Sequence, residues 1–324
     1  MELTALPAVS VPLPWHSQAW ARLQEQAAAG RLPHALLIAG ERYAGKAQLA
    51  LALSRFLLCP QPQGGSNCGE CAACERSAKG VHGDFRWVQP EGDSRVIKVD
   101  QVRDLVGFLN QTAGFGAHKV AVLAPADAMN VNAFNALLKS LEEPGDGTFL
   151  VLVTDRLNQV PATIRSRCQL LKLASPGLQD SRDWLNTVTG DAAASDSLLE
   201  LAAGRPLLAQ QFYLEGTAEE ALARRAALPA LLAGQLTPPM AAAAWASAGS
   251  EEFLEQLCEE LQRIVSSLPP ERLRSTGGRA AFALLDELAG LQAAVAAGSN
   301  PNRELLGEAI LSKVQRELGA LHAR

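Results

Sequence analysis

Four of the six cysteines, Cys59, Cys68, Cys71 and Cys74, fall in one short stretch with the spacing C-x8-C-x2-C-x2-C, in a loop rich in glycine, proline and serine. Four thiolates converging from a flexible loop suit a closed tetrahedral Zn2+ site with Zn–S of about 2.3 Å, a structural one because no position is left for water. Unliganded thiols and an iron–sulfur cluster are the alternatives. Ligand preference favours zinc, since no redox partner motif accompanies the cluster. His82 lies nearby, is not needed to complete four ligands, and reads as an ordinary loop histidine. Cys168 and Cys258 stand alone. A secreted disulfide scaffold would spread its cysteines and carry an export signal, whereas Met1 to Trp15 lacks a basic start and is interrupted by Pro7, Pro12 and Pro14.

A second constellation precedes the cysteines. Gly40-Glu41-Arg42-Tyr43-Ala44-Gly45-Lys46-Ala47 follows an apolar run and opens a helical pattern. In that context G-x-x-x-x-G-K-[ST] cradles phosphates with backbone N–H groups and the lysine. The last position should offer a hydroxyl to Mg2+, and it is Ala47. The acids expected at the end of a neighbouring strand are replaced by Ala124 and Pro125, which hold no metal and polarise no water. The motif is therefore a degenerate phosphate loop (Gly40, Gly45, Lys46, Ala47) from which ATP hydrolysis is not expected.

These residues must be positioned by strands and helices. Ala35–Ala39, Val120–Leu123 and Phe149–Val153 are short apolar runs that read as buried parallel strands, and Leu170-Leu171-Lys172-Leu173 reads as a last strand. Leu49, Ala52, Leu53, Phe56 and Leu57 recur at helical spacing, as do Phe134, Leu137, Leu138 and Leu141, the latter stopped by Pro144. Asp100 is expected to cap a helix carrying Val102, Leu105, Val106 and Leu109. Strand–helix alternation gives a parallel sheet with helices on both faces. Beyond Ala174-Ser175-Pro176 only helical patterns follow. One ends at Gly204-Arg205-Pro206, stripes run through Phe253 to Ile264 and Leu284 to Leu291, and Asn300-Pro301 is expected to open the last helix. With 324 residues, 48% apolar and 19% charged, the chain reads as two domains or three small ones, not as a disordered protein. No apolar run reaches the roughly 18 residues of a membrane span. A net charge of −5 without a basic tail argues against a free-standing DNA binder, though not against a member of a DNA-handling complex.

Pro14-Trp15, Arg31-Leu32-Pro33-His34-Ala35, the run from Asn135 to Pro144 (NALLKSLEEP), Ser166-Arg167-Cys168, the four-cysteine insertion and the closing Asn300-Pro301-Asn302 together resemble the clamp-loader branch of the AAA+ proteins. The resemblance implies an α/β AAA+ core (1–175) with a zinc-binding insertion at about 59–74, a small helical lid (176–216) and an all-α collar (217–324) through which five subunits form an open ring. Motor subunits of the family (gamma/tau) share the cysteine cluster and the Ser-Arg-Cys. Ala47, Ala124 and Pro125 set this chain apart from them. The sensor-2 arginine is missing as well: Leu207 stands there, and the offset Arg205 is given no role.

What the resemblance implies is a non-hydrolysing stator that holds the delta subunit on one side and a gamma/tau ATPase on the other. It would be a component of a DNA-directed DNA polymerase (nucleotidyltransferase) holoenzyme, reaching the sliding clamp and primer-template DNA through the complex, cytoplasmic and nucleoid-associated, with no membrane partner. Arg167 would be an arginine finger donated in trans to ATP on the neighbour. The bland alternative pairs Arg167 with an acid on its own surface, and Arg165 is near enough to confuse the assignment. Two other readings stand beside the stator: an active clamp-loader ATPase with Asp127 replacing the acids, and a zinc-bearing interaction protein on a decayed phosphate loop.

Overall fold

The computed structural model describes residues 6–92, 94–296 and 298–322. The chain divides into two compact units, Met1–Gln211 and Phe212–Arg324.

The first unit is built on five parallel strands: β1 (Ala35–Ala39), β2 (Phe85–Val88), β3 (Lys119–Leu123), β4 (Thr148–Thr154) and β5 (Gln169–Lys172), in the order β2-β3-β4-β1-β5. The central strands are almost entirely buried, and apolar apart from Lys119, Thr148 and Thr154 at their ends, because both faces are covered. Ala35, Leu37, Ala121, Leu123, Leu150 and Leu152 point into one core. Their neighbours Leu36, Ile38, Val120, Val122, Val151 and Val153 point into the other. Helices α1 (Ser17–Ala28) and α2 (Lys46–Leu58) cover the second face, and α3 (Ala72–Ala78) follows α2. The first face is covered by α4 (Val99–Leu109), α5 (Val131–Glu142) and α6 (Ala162–Arg165). Asn130 caps α5 through its Oδ1, which accepts from the Ala133 N–H at 2.9 Å. After β5 the first unit continues into α7 (Leu178–Thr189), α8 (Ala192–Leu201) and α9 (Pro206–Glu215), within which the division between units falls.

Three local expectations need correction. β2 is a strand that the apolar runs do not reveal, because it is a four-residue edge strand interrupted by the exposed Arg86. Asp100 lies inside the first turn of α4, which is capped at Lys98; there the Gln101 side chain accepts the Lys98 N–H at 2.9 Å and Asp100 pairs with Arg103. The final helix opens after Asn302, not Asn300: Asn302 Oδ1 accepts from the Leu305 N–H at 3.0 Å, and the Pro301 carbonyl is taken by the Ser250 hydroxyl.

The second unit is all helix: α10 (Ala218–Leu232), α11 (Pro238–Ala242), α12 (Ser250–Ser266), α13 (Pro270–Leu273), α14 (Thr276–Ala296) and α15 (Arg303–His322). Phe253, Leu257 and Leu261 meet Leu284, Leu288, Leu311 and Val314 in one core around Trp245, so the apolar stripes read from the sequence are consumed by this unit's own packing. Arg303 ties it together, donating to the Ala248 and Trp245 carbonyls with its guanidinium 3.8 Å from the Phe253 ring centroid. No helix among the described residues is long and apolar enough to cross a membrane.

Candidate functional site

Three constellations sit on the first unit, and α2 connects two of them. At its N-terminal end the chain leaves β1 and turns through Gly40 to Gly45. Tyr43 and Gly45 both have positive φ (65° and 86°), the backbone that a phosphate loop requires, and Gly45 is the residue for which it costs least. The loop is surrounded by the chain's own side chains. Lys46 is only 4% exposed; its Nζ lies 2.5 Å from Asp155 Oδ1, just past β4, and donates to the Glu41 carbonyl. It is therefore not a solvated surface lysine. The indole N–H of Trp15 donates to the Ala44 carbonyl at 2.9 Å, and the buried His16 ring contacts the same oxygen through Nε2 at 2.8 Å. Nε2 must carry the proton, and burial holds the His16 pKa below its ordinary value. Leu13 and His16 lie so close to Gly45 that an added Cβ would meet the Leu13 side chain at 2.4 Å. Ala47, Ala124 and Pro125 bring no ligand for a metal. Asp127, the acid that an active ATPase would need, instead accepts from the Thr154 hydroxyl at 2.7 Å and from the Asp155 N–H at 3.2 Å. Arg205 stands with its guanidinium 5.8 Å from the Tyr43 ring centroid.

At the other end of α2, the chain from Cys59 to Cys74 folds into a compact module. The four Sγ atoms lie within 4.8 Å of one another, with Cys59–Cys71 at 4.0 Å and Cys68–Cys74 at 3.9 Å. These separations are far above the S–S bond of about 2.05 Å and close to the roughly 3.8 Å edge of a tetrahedron with metal–sulfur bonds of about 2.3 Å. The cluster can hold a metal ion. The Cys68 N–H points at Cys59 Sγ (3.3 Å), the Cys74 N–H at Cys71 Sγ (3.4 Å) and the Asn67 amide at Cys74 Sγ (3.2 Å), the outer contacts that orient thiolate ligands. Backbone N–H groups of Glu70 and Cys71 bring the Cys68 thiol down to about 6, and burial pushes that of Cys59 up to about 12. Gly65 docks the module on α1, its carbonyl accepting from Trp20 and Gln24. His82 is buried outside the cluster and accepts the Asp84 N–H. The side chain that sequence reasoning missed is Arg55, 1% exposed on α2 and bonded to both the module and the N-terminal segment.

Arg167 forms the third constellation, between α6 and β5. Its Nη2 lies 2.5 Å from Glu142 Oε1 and its Nε donates to the same oxygen, while Nη1 donates to the Thr163 carbonyl; the side chain remains 35% exposed. Cys168 beside it is half-buried, and desolvation pushes its thiol up to about 12.

Residues 15–177 match the family described as DNA polymerase III, delta subunit. The Pseudomonas aeruginosa DNA polymerase III subunit delta' is 40% identical over 248 residues, covering 76% of this chain and 75% of that one. The chain belongs to the DNA polymerase III delta' family. The Escherichia coli delta' subunit is likewise 40% identical over 194 residues, 60% of this chain and 58% of that subunit. In structure, a DNA polymerase III gamma subunit-related protein from Thermotoga maritima covers 93% of this chain and 99% of its own at a TM-score of 0.50 and 17% identity, a likeness of fold alone. The parallel five-stranded sheet and the helical C-terminal unit put the chain in the AAA+ fold class expected from sequence.

Proposed function

We propose that this chain is the non-hydrolysing stator of a clamp loader, acting on ATP that it does not itself turn over. The observation that carries the reading is Lys46: the lysine that would reach phosphate is buried in an ion pair with Asp155, beneath a loop on which Leu13 and His16 already lie. Asp127 is committed to Thr154 and Asp155, which weighs against the active-ATPase reading.

The chemistry that remains is electrostatic. Arg167 is a permanent charge with a planar fork suited to phosphate oxygens. Its pair with Glu142 is exposed on both sides, and such pairs contribute only about 0–1 kcal/mol. A finger in trans accelerates phosphoryl transfer about 10³–10⁵-fold, equivalent to about 4–7 kcal/mol. A pair this weak would give way at small cost if a neighbour's γ-phosphate were presented, so the own-surface pairing does not exclude the finger role. Arg165, two residues earlier at the end of α6, is exposed and is the control for this assignment.

The cysteine cluster is taken as a structural zinc site, since four thiolates close the coordination shell and zinc is the d¹⁰ ion indifferent to the geometry offered. When bound, zinc would fix the loop between α2 and α3 and supply no reaction step. The layout proposed is a core to residue 175, a lid over 176–216 and a collar over 217–324. Leu222, Met240, Phe282 and Leu305 are exposed on the C-terminal helices and offer apolar surface to other subunits. The partners proposed are the gamma/tau ATPases and delta, with the sliding clamp and primer-template DNA reached through the complex, in the cytoplasm.

Steady-state ATP hydrolysis by the isolated chain tests the central claim. No turnover is expected, and a rate that scales with protein and disappears in Lys46→Ala would overturn it.

A further inference from the structure

Arg55 is a buried cation in an arrangement that the stator role does not require. All five of its N–H groups are used, and every acceptor is neutral: Ser77 Oγ, the Pro7 carbonyl, Ser10 Oγ, the Ala8 carbonyl and the Cys74 carbonyl. Among the described residues no carboxylate forms an ion pair with it. A charge taken out of water needs an opposite charge as well as hydrogen bonds. The link to the cluster is Cys74, whose carbonyl accepts from Nη2 at 3.3 Å; Cys74 and Cys59 are 2% and 6% exposed, and their sulfurs would be negative as metal-bound thiolates. Four thiolates around a divalent ion sum to an excess of two negative charges, and on the Cys59 and Cys74 side, where Arg55 lies, little water is present to screen it. A guanidinium beside the cluster offsets half of that excess.

The same side chain organises a strap. Residues 6–10 run along the cysteine module: the Leu6 N–H donates to the Ala78 carbonyl, and the Ser10 N–H donates to Asn67 Oδ1 at 2.8 Å. Asn67 stands between the two, its amide donating both to the Ala8 carbonyl and to Cys74 Sγ. A few residues on, the same strap reaches the phosphate loop through Leu13, Trp15 and His16. Sulfur cluster, Arg55 and Asn67, strap and phosphate loop are thus one contiguous polar and packed path.

We propose that Arg55 is the internal counter-cation of the metal-filled cysteine cluster and the lock of the N-terminal strap, so that filling the cluster and docking residues 6–16 onto the phosphate loop rise and fall together. The proposal rests on the zinc reading above. Emptying the cluster removes the anionic centre and leaves Arg55 buried among neutral acceptors, which weakens its hold on the Pro7 and Ala8 carbonyls. Lysine in its place would keep the charge without the fork that reaches five acceptors at once.

The test uses the full chain, zinc-loaded and zinc-stripped, with hydrogen exchange followed in peptides spanning 6–16 and zinc affinity measured by competition with a chromophoric chelator. Stripping zinc from the wild type is expected to raise exchange across 6–16 along with that of the cysteine loop. Arg55→Met is expected to weaken zinc binding about 10–100-fold, as loss of an outer-shell partner does, and to release the strap. Arg55→Lys is expected to retain most of the zinc affinity while the strap still loosens. If Arg55→Met fails to fold, as judged by circular dichroism, Ser10→Ala takes its place: it removes one acceptor from the strap side alone and is expected to raise exchange there. Equal exchange of 6–16 in loaded and stripped wild type overturns the coupling while leaving the zinc site standing. Zinc affinity unchanged in a folded Arg55→Met overturns the counter-cation role. A wild-type chain that takes up no zinc overturns the metal reading and the coupling together.

Discussion

Helix α2 begins at a phosphate loop that has the backbone of a nucleotide site without its ligands, and it ends at Cys59, where a four-sulfur cluster has every donor in place. The two ends differ in where their chemistry resides. A phosphate loop works through a shape shared by many backbone atoms plus a few side chains elsewhere. The shape survives here because Gly40, Gly45 and the β1–α2 junction are also needed by the fold. A tetrathiolate centre has no such division: remove one sulfur and the site opens. Retained geometry is weak grounds for activity in the first case, and a complete donor set is strong grounds for a ligand in the second.

That contrast can be broken at several points, and the largest effect is expected away from both ends of α2. In a reconstituted complex, Arg167→Ala should leave folding and assembly intact while lowering ATP turnover at the facing motor site about 10³-fold, with Arg165→Ala near wild type. Clamp loading at the unmodified rate would make Arg167 a partner of Glu142 and nothing more.

At the cysteine end, protein purified without added metal should carry close to one zinc per chain. Cys74→Ser should lose the zinc and lower the melting temperature by about 10 °C, the equivalent of several kcal/mol in a chain of this size. Metal-free wild type with four titratable thiols would remove the contrast altogether.

At the phosphate-loop end, Asp155→Asn should destabilise the chain by about 2–3 kcal/mol in urea unfolding, less than a fully buried pair because Asp155 is 34% exposed, and should not create ATPase activity. Stability unchanged by that substitution would mean that Lys46 is free to serve phosphate.

The smallest effect is on pH. Burial holds His16 and His82 below the ordinary 6.5, so the unfolded chain takes up protons first as the pH falls. Their contribution is complete above about pH 6.5 and declines below it, by up to about 1.4 kcal/mol per pH unit for each group. His16→Gln should flatten part of that slope between pH 7 and 5.5; an identical slope would place His16 outside the loop's support.

Most of the fold was legible because its signals are local. The buried strands Ala35–Ala39 and Phe149–Val153 announce themselves as unbroken apolar runs, and Pro144 marks the end of α5. β2 escaped because Arg86 breaks a run of only four residues at the sheet's edge. The two misplaced helix starts share one cause: several polar residues could cap, and side-chain bonds from Gln101 and Asn302 decided between them. The cysteine cluster was readable from spacing alone, and the missing ligands of the phosphate loop from identity alone. What occupies that loop was not readable, since Lys46 meets Asp155 and Ala44 meets His16 only after the sheet has brought distant segments together. Arg55 was invisible for the same reason: nothing in a helical LSRFLL distinguishes a buried arginine from a solvated one.

The contact of Leu13 and His16 with Gly45 bears on how such a subunit changes over time. Restoring a hydroxyl at Ala47 and acids at Ala124 and Pro125 would rebuild the textual motif, yet Lys46 would still face Asp155 and the strap would still lie on the loop. Each of these contacts holds independently of the motif residues, so no single substitution removes them all. A hydrolytic site would require concerted change on four separate segments of the chain, around Ala47, Ala124–Pro125, Asp155 and the strap, so single substitutions toward the motif leave the loop closed.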